Sequence, residues 1–121
     1  MLLNRLASYR HGALAACAQA RPLYERALAI FEKALGPTHP NTNHARGNLS
    51  RLLLASGNPD EALTFGEAAL AAHEKLLGQD HPSTKGSASV TADALDALGR
   101  ADEAAALRAR YGLESKAPPS V

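Results

Sequence analysis

The sequence repeats itself with a period of 42 residues. When the chain is shifted by 42 positions, Pro22–Ala62 aligns with Thr64–Ala104, and 17 of the 41 aligned pairs are identical. The matched stretches include "LGPTHP", which begins at Leu35, and "LGQDHP", which begins at Leu77. A fixed period of about 20–50 residues is typical of a solenoid, whose units pack only against their neighbours. The repeat therefore predicts a one-dimensional array of units.

The composition favours helices within these units. Alanine and leucine dominate the 45% of hydrophobic residues, and aromatic residues make up only 4%. Both are strong helix formers, whereas the β-branched residues that suit strands are sparse. A chain of 121 residues is long enough for one domain. We therefore expect an all-α fold, in which αα-hairpins stack into a short solenoid.

Charge and hydropathy exclude two classes of partner. The 13 basic and 12 acidic residues are scattered along the chain and give a net charge of +1. No polybasic stripe is present to bind a phosphate backbone or an anionic membrane. No stretch approaches the roughly 18 apolar residues that a membrane-spanning helix needs. We therefore expect neither nucleic acid nor a membrane as a partner.

The single cysteine, Cys17, rules out an intrachain disulfide and a zinc site built from several cysteines. The stretch Leu14–Cys17 also resembles a bacterial lipoprotein processing site. However, the apolar segment between Arg10 and Cys17 is shorter than the ~7–15 residues of a signal-peptide core. We interpret Cys17 as an ordinary helix residue and expect a cytoplasmic protein without a cofactor.

Hydrophobic spacing and helix-ending residues predict five helices, at about residues 22–35, 40–56, 59–77, 82–98 and 101–111. Gly36 is expected to end the first of them. Pro40 is expected to start the next, because proline lacks the N–H that the first turn leaves unpaired. Asn58 is a predicted N-cap, and Glu61 is placed to complete a capping box.

The helix over residues 22–35 has a broad apolar face. Two adjacent stripes share the spacing i, i+4, i+7, i+11. They are Leu23/Ala27/Ile30/Ala34 and Tyr24/Leu28/Phe31/Leu35. Such a face is suited to packing against more than one neighbouring helix.

The repeated segment resembles the long, 42-residue kind of tetratricopeptide repeat that occurs in kinesin light chains and in many bacterial proteins. The likeness rests on "PLYERALAIFEKALGPTHPNT" and "GNLSRLLLASGNPDEAL", and it returns in "ALAAHEKLLGQDHPST" and "ALDALGRADEAA". It implies about two and a half repeats, with residues 22–111 forming the helical repeats. Residues 1–21 are then a degenerate partial repeat, with a kink or break near Arg21 caused by Pro22. Residues 112–121 are expected to be a disordered tail.

The resemblance also implies a concave groove, lined by the first helix of each unit, that holds an extended peptide or a partner's helix. The groove positions carried over to this sequence are His44, Gly47, Asn48, Arg51, Gly86, Ser89, Val90 and Asp93. Asn48 matches the asparagine that in the family often bonds the ligand's backbone, whereas its counterpart Val90 does not. The lysine and asparagine set that clamps a terminal carboxylate is absent. The predicted contacts with a protein partner are His44, Asn48, Arg51 and Asp93.

Five histidines raise the rival possibility of a metal or acid–base site: His11, His39, His44, His73 and His81. His39 and His81 are a full repeat apart, so a solenoid places them on successive loops. No carboxylate or cysteine stands near His39 and His44 at zinc-ligand spacing. A histidine before a helix-starting proline is better interpreted as a capping or loop-packing residue. With no phosphate-binding loop and no Ser/His/Asp set, we expect neither an enzyme nor a metal site.

The two ends of the array differ. Gly66 and His73 replace Tyr24 and Phe31, and the last helix is mostly alanine, as expected of a C-terminal cap. The N-terminal end shows no such taper, and carries Leu2, Leu3, Leu6 and Leu14. Two alternatives to groove binding follow. One is a structural module that self-associates into a homo-oligomer through its N-terminal helices. The other is a C-terminal fragment, with a truncated array, of a larger regulatory protein.

Overall fold

The structure, a computed structural model, describes residues 2–113, with side chains from residue 16 onward. Every regular element in this part of the chain is an α-helix. The helices are α1 (Leu2–Leu35), α2 (Pro40–Ala55), α3 (Pro59–Leu77), α4 (Pro82–Ala97) and α5 (Ala101–Arg110). Each helix packs against the next, and α2 also packs against α4. The predicted all-α array of helical hairpins is confirmed, and the predicted starts of α2 to α5 match those observed.

The N-terminal helix departs from expectation. We predicted a kink or break near Arg21, but α1 runs without a break through Pro22, which lies in its interior. A proline inside a helix removes one backbone hydrogen bond and crowds the preceding turn. Here the segments on both sides are rich in alanine and other helix formers, which favours continuation. Residues 2–21 therefore extend α1 and do not form a helical hairpin of their own.

The two copies of the repeated hexapeptide form the same joint between helices. Gly36 and Gly78 have φ values of 92° and 91°, a left-handed region that favours glycine. His39 is the N-cap of α2, and its Nδ1 accepts a hydrogen bond of 3.1 Å from the backbone N–H of Asn41. His81 caps α4 in the same way, through the N–H of Ser83. The interpretation of both histidines as capping residues is confirmed.

The capping box expected at the start of α3 is not formed. Asn58 occupies the N-cap position with φ −118° and ψ 66°, outside the extended region from which a capping side chain reaches the helix. Its amide instead donates to the hydroxyl of Ser56 at 3.3 Å. Glu61 accepts a hydrogen bond of 2.5 Å from Arg21 of α1. This charge-assisted contact takes the carboxylate away from the N-cap.

The core lies where α3 passes between α2 and α4. The larger core cluster contains Leu28, Leu49, Leu53, Leu63 and Leu95, together with several fully buried alanines. Small residues at the crossing bring the three helices close together.

At the crossing, a Cβ added to Gly66 would lie 2.7 Å from Thr91 Oγ1 and 3.1 Å from Ser50 Oγ. Both hydroxyls are fixed, since Ser50 donates to the carbonyl of Ala62 and Thr91 donates to the carbonyl of Ser87. Close packing of the helices therefore explains the glycine at position 66. The taper expected of a C-terminal cap does not.

The last helix is anchored by polar contacts. The guanidinium of Arg108 is almost buried and bonds Asp93 at 2.8 Å and Asp96 at 2.6 Å. Tyr111 is buried, and its hydroxyl donates to Glu74 of α3. Leu113 still bonds back to the carbonyl of Arg108, so the expected disordered tail does not begin at residue 112. The rest of that tail, residues 114–121, lies outside the described residues.

The capping histidines lead to a stability prediction. Replacing His39 or His81 with alanine should lower the free energy of unfolding by about 0.5–2 kcal/mol, because the first turn loses its side-chain acceptor. His39→Asn should restore most of this loss, since asparagine is a good N-cap. Urea denaturation followed by circular dichroism measures the effect. An alanine variant as stable as the wild type would show that the observed bonds contribute nothing.

Two glycines offer a matched test of the helix crossing. Gly66→Ala should lower the free energy of unfolding, because overpacking costs about 1–3 kcal/mol. This cost outweighs the roughly 1 kcal/mol that alanine gains over glycine in helix propensity. Alanine at Gly86 would approach only the flexible end of Arg51, at 3.1 Å. Gly86→Ala should therefore be neutral or stabilising. Equal effects of the two substitutions on the urea midpoint would contradict this packing argument.

Candidate functional site

The eight groove positions carried over from the resemblance lie together in the structure. Each lines at least one of three adjoining pockets on the face formed by α1, α2 and α4. The first pocket is shared by α1 and α2, and the other two lie between α2 and α4. His44 lines the first pocket and one of the others, while Arg51 and Gly86 line both pockets between α2 and α4. The three pockets therefore form one continuous groove.

The wider end of the groove has one apolar wall and one polar wall. This pocket has a volume of about 490 Å³. Tyr24, Ala27 and Phe31 of α1 line one side. The polar side comes from α2 and includes His44 and Asn48, both exposed. Such a pocket can hold an apolar side chain while the polar wall offers hydrogen bonds to a backbone.

Arg51 stands at the centre of the groove. Its guanidinium reaches from α2 across to α4, where it comes within 3.1 Å of a Cβ added to Gly86. One nitrogen makes a long hydrogen bond of 3.5 Å to Asn48 Oδ1. In the part of the chain that has described side chains, Arg51 takes part in none of the ion pairs. The groove thus contains an exposed positive charge, and Asp93 lines the same pocket.

Two of the eight positions have structural roles that the resemblance did not indicate. Val90 borders the pocket that Arg51 also lines, but it is only 4% exposed and belongs mainly to the core. It is buried because α4 packs against α2 as well as α3. Asp93 lines the groove, but its carboxylate accepts a hydrogen bond from Arg108. The carboxylate therefore helps to anchor α5.

Beneath the groove lies His73, which the sequence argument did not assign to the site. It is 2% exposed, its Nδ1 is 2.7 Å from the hydroxyl of Ser87, and its ring meets that of His44 edge to face at 5.7 Å. Burial, together with the neighbouring His44 and His81, lowers the pKa of His73 below its usual value of 6.5. The alignment of His73 with Phe31, inside the apolar stripe of the preceding unit, is the sequence signal that could have indicated this burial.

Other candidate chemistry finds no support among the described side chains. No three histidine, cysteine or acidic residues in this part come close enough to hold a metal ion. The repeated carboxylates are used in contacts within the fold: Glu32 pairs with Arg46 at 3.5 Å, and Glu74 pairs with Arg110 at 3.0 Å. Among the described helices, none has both the length and the apolar content to cross a membrane.

The buried His73 leads to a pH prediction. Since its pKa in the folded state is lowered, the unfolded chain binds a proton more readily below about pH 6.5, and folding becomes less favourable as the pH falls. The free energy of unfolding should therefore decrease between pH 7 and about pH 5. His73→Phe, which places the residue of the preceding unit here, should reduce this slope. Lys75→Ala, at an exposed position on α3, serves as the control, and an unchanged slope in His73→Phe would contradict the assignment.

Comparison with known proteins agrees with the repeat architecture. A family profile of the tetratricopeptide repeat matches residues 1–75. The match includes α1, α2 and most of α3, so it covers residues 1–21 and ends before α4. No curated protein matches the chain. The hairpin of α4 and α5 follows α2 and α3 by the same 42-residue period. With more than half of its 121 residues matched, the chain belongs to the tetratricopeptide repeat family.

Proposed function

We propose that this chain is a non-enzymatic interaction module whose groove binds an extended protein segment that carries an acidic side chain. Tetratricopeptide repeats generally mediate interactions between proteins. The family does not name the partner, so its chemistry has to come from the groove itself.

The observation that carries the proposal is the environment of Arg51. Arg51 is exposed in the groove, and a guanidinium binds carboxylates through two parallel hydrogen bonds. The guanidinium lies against Gly86, whose lack of a side chain leaves room for it. An aspartate or glutamate of a bound segment would complete this arrangement.

Asn48 supports the extended form of the ligand. Its exposed amide carries both a donor and an acceptor, and it lies between Arg51 and the apolar wall. A peptide in extended conformation presents N–H and C=O groups that such an amide can bond. A carboxylate at Arg51, a backbone contact at Asn48 and an apolar side chain near Phe31 would then define the recognised sequence.

The 42-residue spacing and the repeated Leu-Gly and His-Pro pairs support placing the chain among the kinesin-light-chain-like repeats of bacterial proteins. We further propose that it acts in the cytoplasm, since its single cysteine needs no oxidising compartment. His44, Asn48 and Arg51 are the proposed contacts. Asp93 is proposed to border the site while it holds α5.

A peptide library tests this proposal. Selection of random peptides on the purified protein should enrich sequences with Asp or Glu near an apolar residue. For an enriched peptide, Arg51→Ala should weaken binding by about 10–100-fold, because a charge-assisted hydrogen bond contributes roughly 1.5–3 kcal/mol. Asn48→Ala should weaken it less, and added salt should weaken binding to the wild type. Fluorescence anisotropy measures each dissociation constant.

Lys75→Ala is the matched control. It removes one positive charge from an exposed position on α3, outside the groove. If this variant lost affinity as much as Arg51→Ala, the effect would come from net charge. Enriched peptides that bind the double variant Asn48→Ala/Arg51→Ala as tightly as the wild type would show that the groove is not the binding site.

A further inference from the structure

One apolar face of α1 has no partner within the described chain. Leu23 is 66% exposed and Ile30 is 57% exposed, both unusually high for large hydrophobic residues. α1 has 34 residues and α2 has 16, and among the described helices α2 alone packs along α1. At 1.5 Å per residue, α2 can cover about half the length of α1. It covers the side that carries Leu28, which is buried.

The equivalent face of α3, one repeat later, is covered by another helix. Leu23 and Ala27 of α1 align with Phe65 and Ala69 of α3. In α3 the equivalent face is covered, since Ala69 is fully buried and Phe65 packs against the core. The covering helix in a hairpin is the one that precedes in sequence. Residues 2–20, which precede this part of α1, continue the helix in line and do not fold back onto it.

The sequence of α1 has a second periodicity, of seven residues, along this same face. Ten positions alternate in steps of three and four, and all ten are hydrophobic. They are Leu2, Leu6, Tyr9, Ala13, Ala16, Ala20, Leu23, Ala27, Ile30 and Ala34. We call this set the heptad stripe. A seven-residue repeat sustained over the whole helix is the pattern of a two-stranded coiled coil.

From the stripe we infer that α1 pairs in antiparallel orientation with α1 of a second copy of this chain. In one register, each residue of the stripe faces the residue of the other copy for which the two residue numbers add up to 36. The two stripes then face each other along their full length. The layers are then Leu2 with Ala34, Leu6 with Ile30, Tyr9 with Ala27, Ala13 with Leu23, and Ala16 with Ala20. Three of the five layers set a large residue against an alanine, and one pairs two alanines. A parallel pair would face every position of the stripe with itself, so that large residues meet large ones and all five alanines meet alanines, which packs less evenly.

The antiparallel arrangement also covers the exposed face of α1. In this arrangement, residues 2–20 of each copy lie along the exposed face of the other, as the preceding helix of a hairpin would. Such an exchange of equivalent elements is closed by a two-fold axis. Because α2 follows the C-terminal end of α1, the bundles formed by α2 to α5 would be placed towards opposite ends of the helix pair.

Sedimentation equilibrium of the full chain tests the dimer. We expect a dimer at micromolar concentration. Leu23→Glu/Ile30→Glu should weaken dimerisation by about 100-fold or more, because it places buried charges in the stripe. Leu76→Glu changes another exposed leucine, 45% exposed on α3 and outside the stripe, and should leave the dimer intact. Circular dichroism checks that all variants keep their helices. A wild-type chain that stays monomeric throughout would overturn the proposal.

Cysteine cross-linking tests the orientation, on a Cys17→Ala background. A mixture of Leu6→Cys and Ile30→Cys should form a disulfide between the two variants on oxidation, whereas Ile30→Cys alone should not link to itself. Linkage of Ile30→Cys to itself would indicate a parallel pair and overturn the antiparallel register. A chain that carries both substitutions and closes an internal disulfide as a monomer would show that residues 2–20 fold back, and would likewise overturn the proposal. None of these outcomes depends on peptide binding.

Discussion

The close passage of α3 between α2 and α4 determines the geometry of everything around it. The three helices meet at Gly66, where the side-chain oxygens of Ser50 and Thr91 occupy the space that a Cβ would need. Both hydroxyls can be buried there because each donates to a backbone carbonyl nearby. This contact fixes the distance between α2 and α4, and hence the width of the groove in which Arg51 reaches Gly86. The crossing is thus polar, and both of its hydroxyls are hydrogen-bonded.

Local signals in the sequence predicted most of the fold. Glycine and proline mark the helix ends because their backbone preferences act within a few residues, and the capping by His39 and His81 follows from the same short range. The prediction of a break at Pro22 was wrong for a related reason. A proline lowers the stability of a helix locally, but the alanine-rich segments around it decide whether the helix continues.

The resemblance to the family gave eight positions that line adjoining pockets in the structure, since the repeat fixes which helix face they occupy. It could not reveal that Val90 is buried or that Asp93 holds Arg108, because those roles depend on contacts between helices far apart in sequence. The buried pair of His73 and Ser87 likewise arises from the packing of α3 on α4, and no motif announces it.

The unbroken α1 has a consequence for how partners are engaged. A helix of 34 residues is about 50 Å long, and much of that length extends beyond the bundle. In the proposed antiparallel pair, this rod holds two identical grooves at its opposite ends with a fixed spacing and orientation. The assembly would therefore be bivalent: a partner with two suitably spaced acidic segments gains avidity, whereas one with a single segment does not. The dimer would therefore select partners by the distance between their two acidic segments, and α1, which lies largely outside the groove, would set that distance.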